Sequence, residues 1–106
     1  LGLTFKENCP DVRNTRVVDI VNELQSYQAQ VEVYDPWVNA AEAQHEYGIT
    51  PIAVPTPGSY DAIIVAVAHH QFKTLGASGL RALGKPTCVL YDVKCVLPVD
   101  QVDGRL

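Results

Sequence analysis

The chain lacks the cysteine pattern that would staple it. Cys9, Cys88 and Cys95 are odd in number and share no short repeated spacing, which excludes a disulfide framework. No C-x-x-C and no Cys/His cluster offers zinc a ligand set. A reduced cytosolic compartment is the simplest setting for three free thiols, so a cytoplasmic location is expected. Long apolar runs are also missing. The longest, Ala62 to Ala68, is far shorter than the roughly 20 residues that cross a bilayer, so no membrane role is expected. There is no excess of positive charge either. Eight Lys and Arg against twelve Asp and Glu give a net charge of −4, which argues against nucleic-acid binding while leaving room for a local cationic pocket. Charged residues make up only 19% of the chain, against about 25% in soluble domains. Some of the surface is therefore expected to be covered by another domain or subunit. No initiator Met and no signal or transit peptide is present, and Leu1 already stands in an apolar stretch. The chain reads as a piece of a longer protein with part of its first strand removed.

What is present fits one domain of 106 residues, with 47% hydrophobic residues to fill a core. Leu1 to Phe5 reads as the end of a buried strand that breaks abruptly at Lys6 into a polar loop. A helix follows, N-capped by Asn14 or Thr15, with Val17, Val18, Ile20, Val21 and Leu24 as its buried stripe. Val31 to Tyr34 reads as a short strand stopped by Asp35-Pro36. Asn39-Ala-Ala-Glu42 is a capping box, predicting a helix from Ala40 that ends at Gly48. Pro51 to Val54 reads as a brief strand and Pro55 to Ser59 as a loop. Ala62 to Ala68 is β-branched and apolar on both faces, as in the centre of a parallel sheet. A short helix over about His69 to Leu75 and a further helical turn over Leu80 to Leu83 are predicted next. Thr87 to Tyr91 is the last strand, and beyond Lys94 the chain reads as an irregular tail.

This alternation predicts an α/β fold: a three-layer α/β/α, Rossmann-like, doubly wound parallel sheet with its first strand truncated. Such sheets bind ligands beyond the carboxyl ends of their strands. Phe5-Lys6, Tyr34-Asp35, His69-His70 and Asp92 to Lys94 should therefore gather at one edge.

Several residues there have two readings. Lys6, directly after a buried strand, is placed to reach an anion, or is a solvated loop lysine. Arg13, just before a helix, suits a pyrophosphate held at the helix start, or pairs with Asp11 or Glu7. Asn8 and Asp11 are expected to shape the loop. Cys9 has no base near it in sequence and reads as packing. Asp35-Pro36 reads as a turn and cap, and Trp37 as packing or interface. His69 and His70 are adjacent, so on a helix they diverge, and with no third ligand evident no metal site is expected. Either histidine is placed to cap a helix or line the cleft.

Four stretches carry a family resemblance over nearly the whole chain: Gly2-Leu-Thr-Phe-Lys-Glu-Asn8, Asp11-Val-Arg-Asn-Thr15, Tyr34-Asp-Pro36 and Tyr91-Asp-Val-Lys94. The pattern resembles the C-terminal nucleotide-binding domain of the UDP-glucose/GDP-mannose 6-dehydrogenase family. Its wording is closest to the UDP-N-acetylhexosamine dehydrogenases of bacterial surface-polysaccharide synthesis. The resemblance implies an NAD-dependent enzyme that oxidises the C6 hydroxymethyl of a UDP-sugar, UDP-N-acetylglucosamine or UDP-N-acetylgalactosamine being preferred, through a cysteine-linked intermediate. It implies that Phe5 and Lys6 contact the nucleotide sugar and that Arg13 reaches the NAD, which the N-terminal domain mainly binds. The stretch Gly2 to Glu7 is not G-x-G-x-x-G, so the main NAD site lies elsewhere. None of the three cysteines matches the family's nucleophile, which lies upstream, so this chain alone should not turn over. Many members carry two basic residues after the last strand, the second contacting the nucleotide; here that position is Cys95, leaving Lys94 as the candidate. The N-terminal and central domains of the same enzyme, and further copies in a homo-oligomer, are the implied partners. Two other classes remain open: a stand-alone nucleotide-binding module, and a structural module that buries a subunit interface.

Overall fold

A computed structural model describes all 106 residues. Three helices and three parallel strands are formed: α1 (Val17–Ser26), α2 (Ala40–Tyr47), β1 (Tyr60–Val65), α3 (His70–Arg81), β2 (Gly84–Asp92) and β3 (Gly104–Arg105). The sheet order is β1-β2-β3, with Ile63 opposite Leu90 and Val65 opposite Asp92. The α/β, Rossmann-like reading holds.

Two expected strands appear only as traces. Leu1 to Phe5 and Val31 to Tyr34 form no regular ladder. Single backbone bonds join them to the sheet instead. The Leu1 amino group donates to the Ile64 carbonyl at 2.7 Å, and the Ala66 N–H donates to the Leu1 carbonyl at 2.8 Å. On the other side the Gly2 N–H donates to the Tyr34 carbonyl at 2.8 Å. Across the sheet the order is thus Val31–Tyr34, Leu1–Leu3, β1, β2, β3. The physical reason for the missing ladders is length. A ladder needs repeated pairs, and only Leu1 and Gly2 stand beside these segments before Gly2, at φ 93°, turns the backbone out of extended geometry. Pro51 to Val54 likewise forms no strand; its one tie is the Ile52 N–H to the Val33 carbonyl at 2.8 Å.

The helices follow their local chemistry closely. Asn39 caps α2 by accepting the Glu42 N–H at 3.0 Å, and Gly48 closes it in the left-handed conformation, as the sequence predicts. α1 begins after Arg16, which makes no side-chain cap, so the start expected at Asn14 or Thr15 shifts by one or two residues; Thr15 Oγ1 still accepts the Val17 N–H at 3.2 Å. The two helical pieces expected after β1 are one element broken at Gly76, where φ 67° and ψ 178° interrupt the helix. The tail after Lys94 is more ordered than expected. A 3₁₀ turn at Val99–Gln101 leads into β3, which pairs with Tyr91 and Asp92 because β2 otherwise leaves that edge open.

Alternation along β1 places helices on both faces. Ile63 and Val65 point to α3 and form the larger core with Phe72, Leu80, Cys88 and Leu90. Ala62 and Ile64 point the other way, toward Val17, Ile20 and Leu24 of α1. A smaller core joins Leu3, Val21, Val33 and Ala43. Phe72 is essentially fully buried, and truncating it to Ala would cost roughly 3–5 kcal/mol.

Gly2 is the tightest point. A Cβ there would lie 2.6 Å from Val67 Cβ and 2.9 Å from the Val67 N. Both the positive φ and the absence of space demand glycine. Gly2→Ala is expected to lower the unfolding free energy by about 2–4 kcal/mol in urea titration, whereas Gly48→Ala, with nothing near its Cβ, should cost about 1 kcal/mol.

Candidate functional site

The carboxyl ends of the strands meet around one buried acid. Asp35 has no exposed side-chain surface. Its Oδ2 accepts the N–H groups of Leu3 at 2.6 Å and Thr4 at 3.0 Å, and lies 2.9 Å from His69 Nε2. Its Oδ1 accepts the N–H groups of Trp37 at 2.7 Å and Val38 at 3.2 Å. The expected turn-and-cap role of Asp35 is therefore real, and it is half of what the residue does. Burial pushes its pKa up, but the hydrogen bonds from His69, Leu3, Thr4 and Trp37 outweigh this and hold the carboxyl below its ordinary 3.8.

His69, also fully buried, sits at the N-cap position of α3 without capping it. Its Nδ1 accepts the Asn8 N–H at 2.9 Å. Asn8 in turn does the capping: its Oδ1 accepts the His70 N–H at 2.9 Å and lies 3.0 Å from His70 Nδ1. The two histidines thus diverge, one inward to Asp35 and one outward to Asn8. The loop-shaping roles of Asn8 and Asp11 are also seen, since Asp11 Oδ1 accepts the Arg13 N–H at 2.9 Å.

The expected gathering of segments occurs in two steps. The Thr4–Asn8 loop, Asp35 and His69-His70 touch directly. Asp92 to Lys94 joins through the Val93 N–H, which donates to the Val65 carbonyl at 2.9 Å. In a sheet ordered this way, the chain reverses direction of build between Leu1–Leu3 and β1, the position where open α/β sheets leave a ligand crevice. Phe5, half exposed, and Lys6, exposed, stand at that position. The Phe5 N–H donates to the Asp11 carbonyl at 2.7 Å, and the Lys6 carbonyl accepts the Thr4 hydroxyl at 3.1 Å.

The cations at this edge differ in their partners. Arg13 forms a two-pronged pair with Asp11, Nε to Oδ1 at 3.0 Å and Nη2 to Oδ2 at 3.1 Å. Of the two readings of Arg13, pairing with Asp11 is present; it leaves Nη1 without a protein partner. The pair's hydrogen bonds lower the Asp11 pKa and raise that of Arg13. Arg16, Arg81 and Lys85 are also paired with carboxylates. Neither the Lys6 nor the Lys94 ammonium has a hydrogen-bond or ion-pair partner in the protein, so both are available to an anion. Cys95 follows Lys94 in the left-handed region at φ 56°, exposed, with its thiol 3.5 Å from the Leu106 carbonyl. Cys9 is half-buried and Cys88 buried. Asp92 is buried; Oδ2 accepts the Leu97 N–H at 2.8 Å and Oδ1 has no partner.

Sequence reasoning missed Thr4 and the inward role of His69. The signal was available in part: an acid and a histidine at the carboxyl ends of converging strands, where a buried acid needs donors.

The edge has the makings of an anion-binding wall of an α/β nucleotide domain. Comparison with known proteins agrees: residues 1–99 match the UDP-glucose/GDP-mannose dehydrogenase family, UDP binding domain. The chain belongs to this family. It is 61% identical over all of its 106 residues to a UDP-N-acetyl-D-glucosamine 6-dehydrogenase of Pseudomonas aeruginosa and 56% identical to one of Salmonella typhi, covering 25% of each. It is 34% identical over 103 residues to Protein CapL of Staphylococcus aureus, covering 24% of it. The chain thus spans about a quarter of the length of these relatives.

Asp35 generates a pH prediction. A carboxyl with a depressed folded pKa stabilises the fold above its unfolded value, and this contribution fades as pH falls below 3.8 through the folded value. Asp35→Asn is expected to lose about 3 kcal/mol at pH 7. In thermal melts the gap between wild type and Asp35→Asn should narrow only below about pH 4, where the wild-type carboxyl protonates.

Proposed function

We propose that this chain is the C-terminal domain, over its whole length of residues 1–106, of an NAD-dependent 6-dehydrogenase that oxidises a UDP-N-acetylhexosamine to its uronic acid for surface-polysaccharide synthesis in the cytoplasm. The observation that carries the reading is identity of 61% and 56%, over every residue of the chain, to two UDP-N-acetyl-D-glucosamine 6-dehydrogenases. UDP-N-acetylglucosamine is therefore preferred over UDP-N-acetylgalactosamine.

The chain's own part is to bind and orient. The exposed ring of Phe5 offers the nucleotide sugar an apolar face, and the unpaired Lys6 ammonium offers it a cation. Lys94, at the end of β2, supplies the second cation in place of the basic residue that Cys95 displaces. NAD, which serves as the hydride acceptor when bound, is held mainly by the N-terminal domain. Arg13 fits a contact with it, because the Asp11 pair fixes the guanidinium and leaves Nη1 free. No residue of this chain is assigned to the chemical step.

A groove supports membership in a larger body. It measures about 590 Å³ and runs between Gln30–Tyr34 and Tyr60–Ile64, walled by Ile20, Leu24 and Val31. No helix is long and apolar enough to cross a membrane. Further copies in a homo-oligomer are the remaining partners in this reading.

Calorimetric titration of UDP-N-acetylglucosamine and UDP into the longer enzyme carrying this chain tests the assignment. Lys6→Ala should weaken binding by tenfold or more, about 1.4 kcal/mol, with assembly unchanged. Unchanged affinity would make the domain a scaffold and remove Lys6 from the site.

A further inference from the structure

The loop that carries Lys6 is exposed from Phe5 to Asn8 and has no apolar packing of its own to hold it, apart from the half-exposed ring of Phe5. Its conformation depends on hydrogen bonds, and these lead to His69. The Asn8 N–H donates to Nδ1, so Nδ1 carries no proton. The proton is then on Nε2, which faces the Asp35 carboxylate at 2.9 Å and Thr4 Oγ1 at 3.2 Å. The network assigns the neutral Nε2–H tautomer. That N–H is shared between Asp35 Oδ2 and Thr4 Oγ1, and the Thr4 hydroxyl donates its own hydrogen bond to the Lys6 carbonyl at 3.1 Å. Every donor in this chain meets one acceptor type, and the order has no symmetric alternative, because ionised Asp35 only accepts. The loop is thereby gripped twice: at Lys6 through Thr4, and at Asn8 through Nδ1. The second grip falls on Asn8, at φ 56° in the left-handed region that asparagine adopts more readily than other non-glycine residues.

We propose that His69 is a positioning residue for nucleotide-sugar binding: its Nδ1 fixes the backbone at Asn8 while the Thr4 hydroxyl fixes it at Lys6, and together they aim the Lys6 ammonium; Nε2 serves to set the tautomer. The inference rests on the reading of Lys6 given above. His69 itself touches no ligand and takes no part in the chemistry.

The two nitrogens have separable duties, which makes the idea testable in the longer enzyme. An Asn side chain places its carbonyl oxygen near the position of Nδ1, whereas a Gln side chain places its amide nitrogen near that of Nε2. His69→Asn keeps the grip on Asn8 and His69→Gln loses it. KM for UDP-N-acetylglucosamine should rise tenfold or more in His69→Gln, with kcat within about threefold of wild type, and stay within about threefold in His69→Asn. Because a buried histidine variant can fail to fold, Thr4 provides a second pair: isosteric Thr4→Val should raise KM as His69→Gln does, and Thr4→Ser should restore it. ¹⁵N spectra of the wild-type ring should show Nδ1 unprotonated at pH 7. A protonated Nδ1, equal KM effects in both His69 variants, or losses confined to kcat would overturn the inference. Lys6→Ala separates the two levels. If it raises KM while Thr4→Val and His69→Gln do not, the positioning role fails alone; if it leaves KM unchanged, the site reading fails and the inference with it.

Discussion

The Asp35 carboxylate is the group on which the carboxyl edge of this domain depends. A buried ionised acid is tolerated only when most of its acceptor capacity is filled. Asp35 fills it with donors from three places: Leu3 and Thr4 on the first segment, Trp37 and Val38 after its own turn, and His69 before α3. These segments are 31 or more residues apart where they cross. One charged group therefore ties the ends of three strands to a common point. It does so where a ladder cannot, since Leu1–Leu3 makes only two backbone bonds to the β1 side and one to Tyr34.

Order passes outward from that point. Asp35 fixes the proton on His69 Nε2, which leaves Nδ1 to accept from Asn8, which in turn caps α3 through Oδ1. Thr4 extends the same chain to the backbone of Lys6. The interior of the domain is thus coupled to an exposed loop by directional bonds, with apolar contact playing little part. An exposed loop gains rigidity in this way: supporting side chains are locked by packing, and the loop is locked by them. Arg13, Arg16, Arg81 and Lys85 are neutralised by carboxylates, whereas Lys6 and Lys94, like Lys73 and Arg105, carry no such partner.

The apolar groove belongs to the opposite end of the same sheet. Below Leu1 the space between Val31–Tyr34 and β1 is lined mostly by hydrophobic residues. The low share of charged residues in the composition has its structural counterpart there, and in Val89 on the exposed face of β2. A domain that is a quarter of the length of its relatives would be expected to leave such surface for the rest to cover.

Local signals in the chain settled the elements whose causes are local. The Asn39 cap, the Gly48 stop, the apolar stripe of α1 and the β-branched run of β1 each act within a few residues; α1 and α2 formed within one or two residues of where the sequence placed them, and β1 runs from Tyr60 to Val65 where Ala62 to Ala68 was expected. The parallel α/β class followed from their alternation, and the family from four short stretches. What sequence could not settle depended on neighbours. Whether Leu1–Phe5 and Val31–Tyr34 become ladders is decided by the partner strands beside them, and β3 exists only because β2 offers it an edge. Asp35 read as a turn residue because its Asx turn is local, while its five donors come mostly from far along the chain. His69 read as a cap or a cleft-lining residue for the same reason: a tautomer is set by what lies against each nitrogen, and only the folded chain brings Asn8 and Asp35 to opposite sides of one ring.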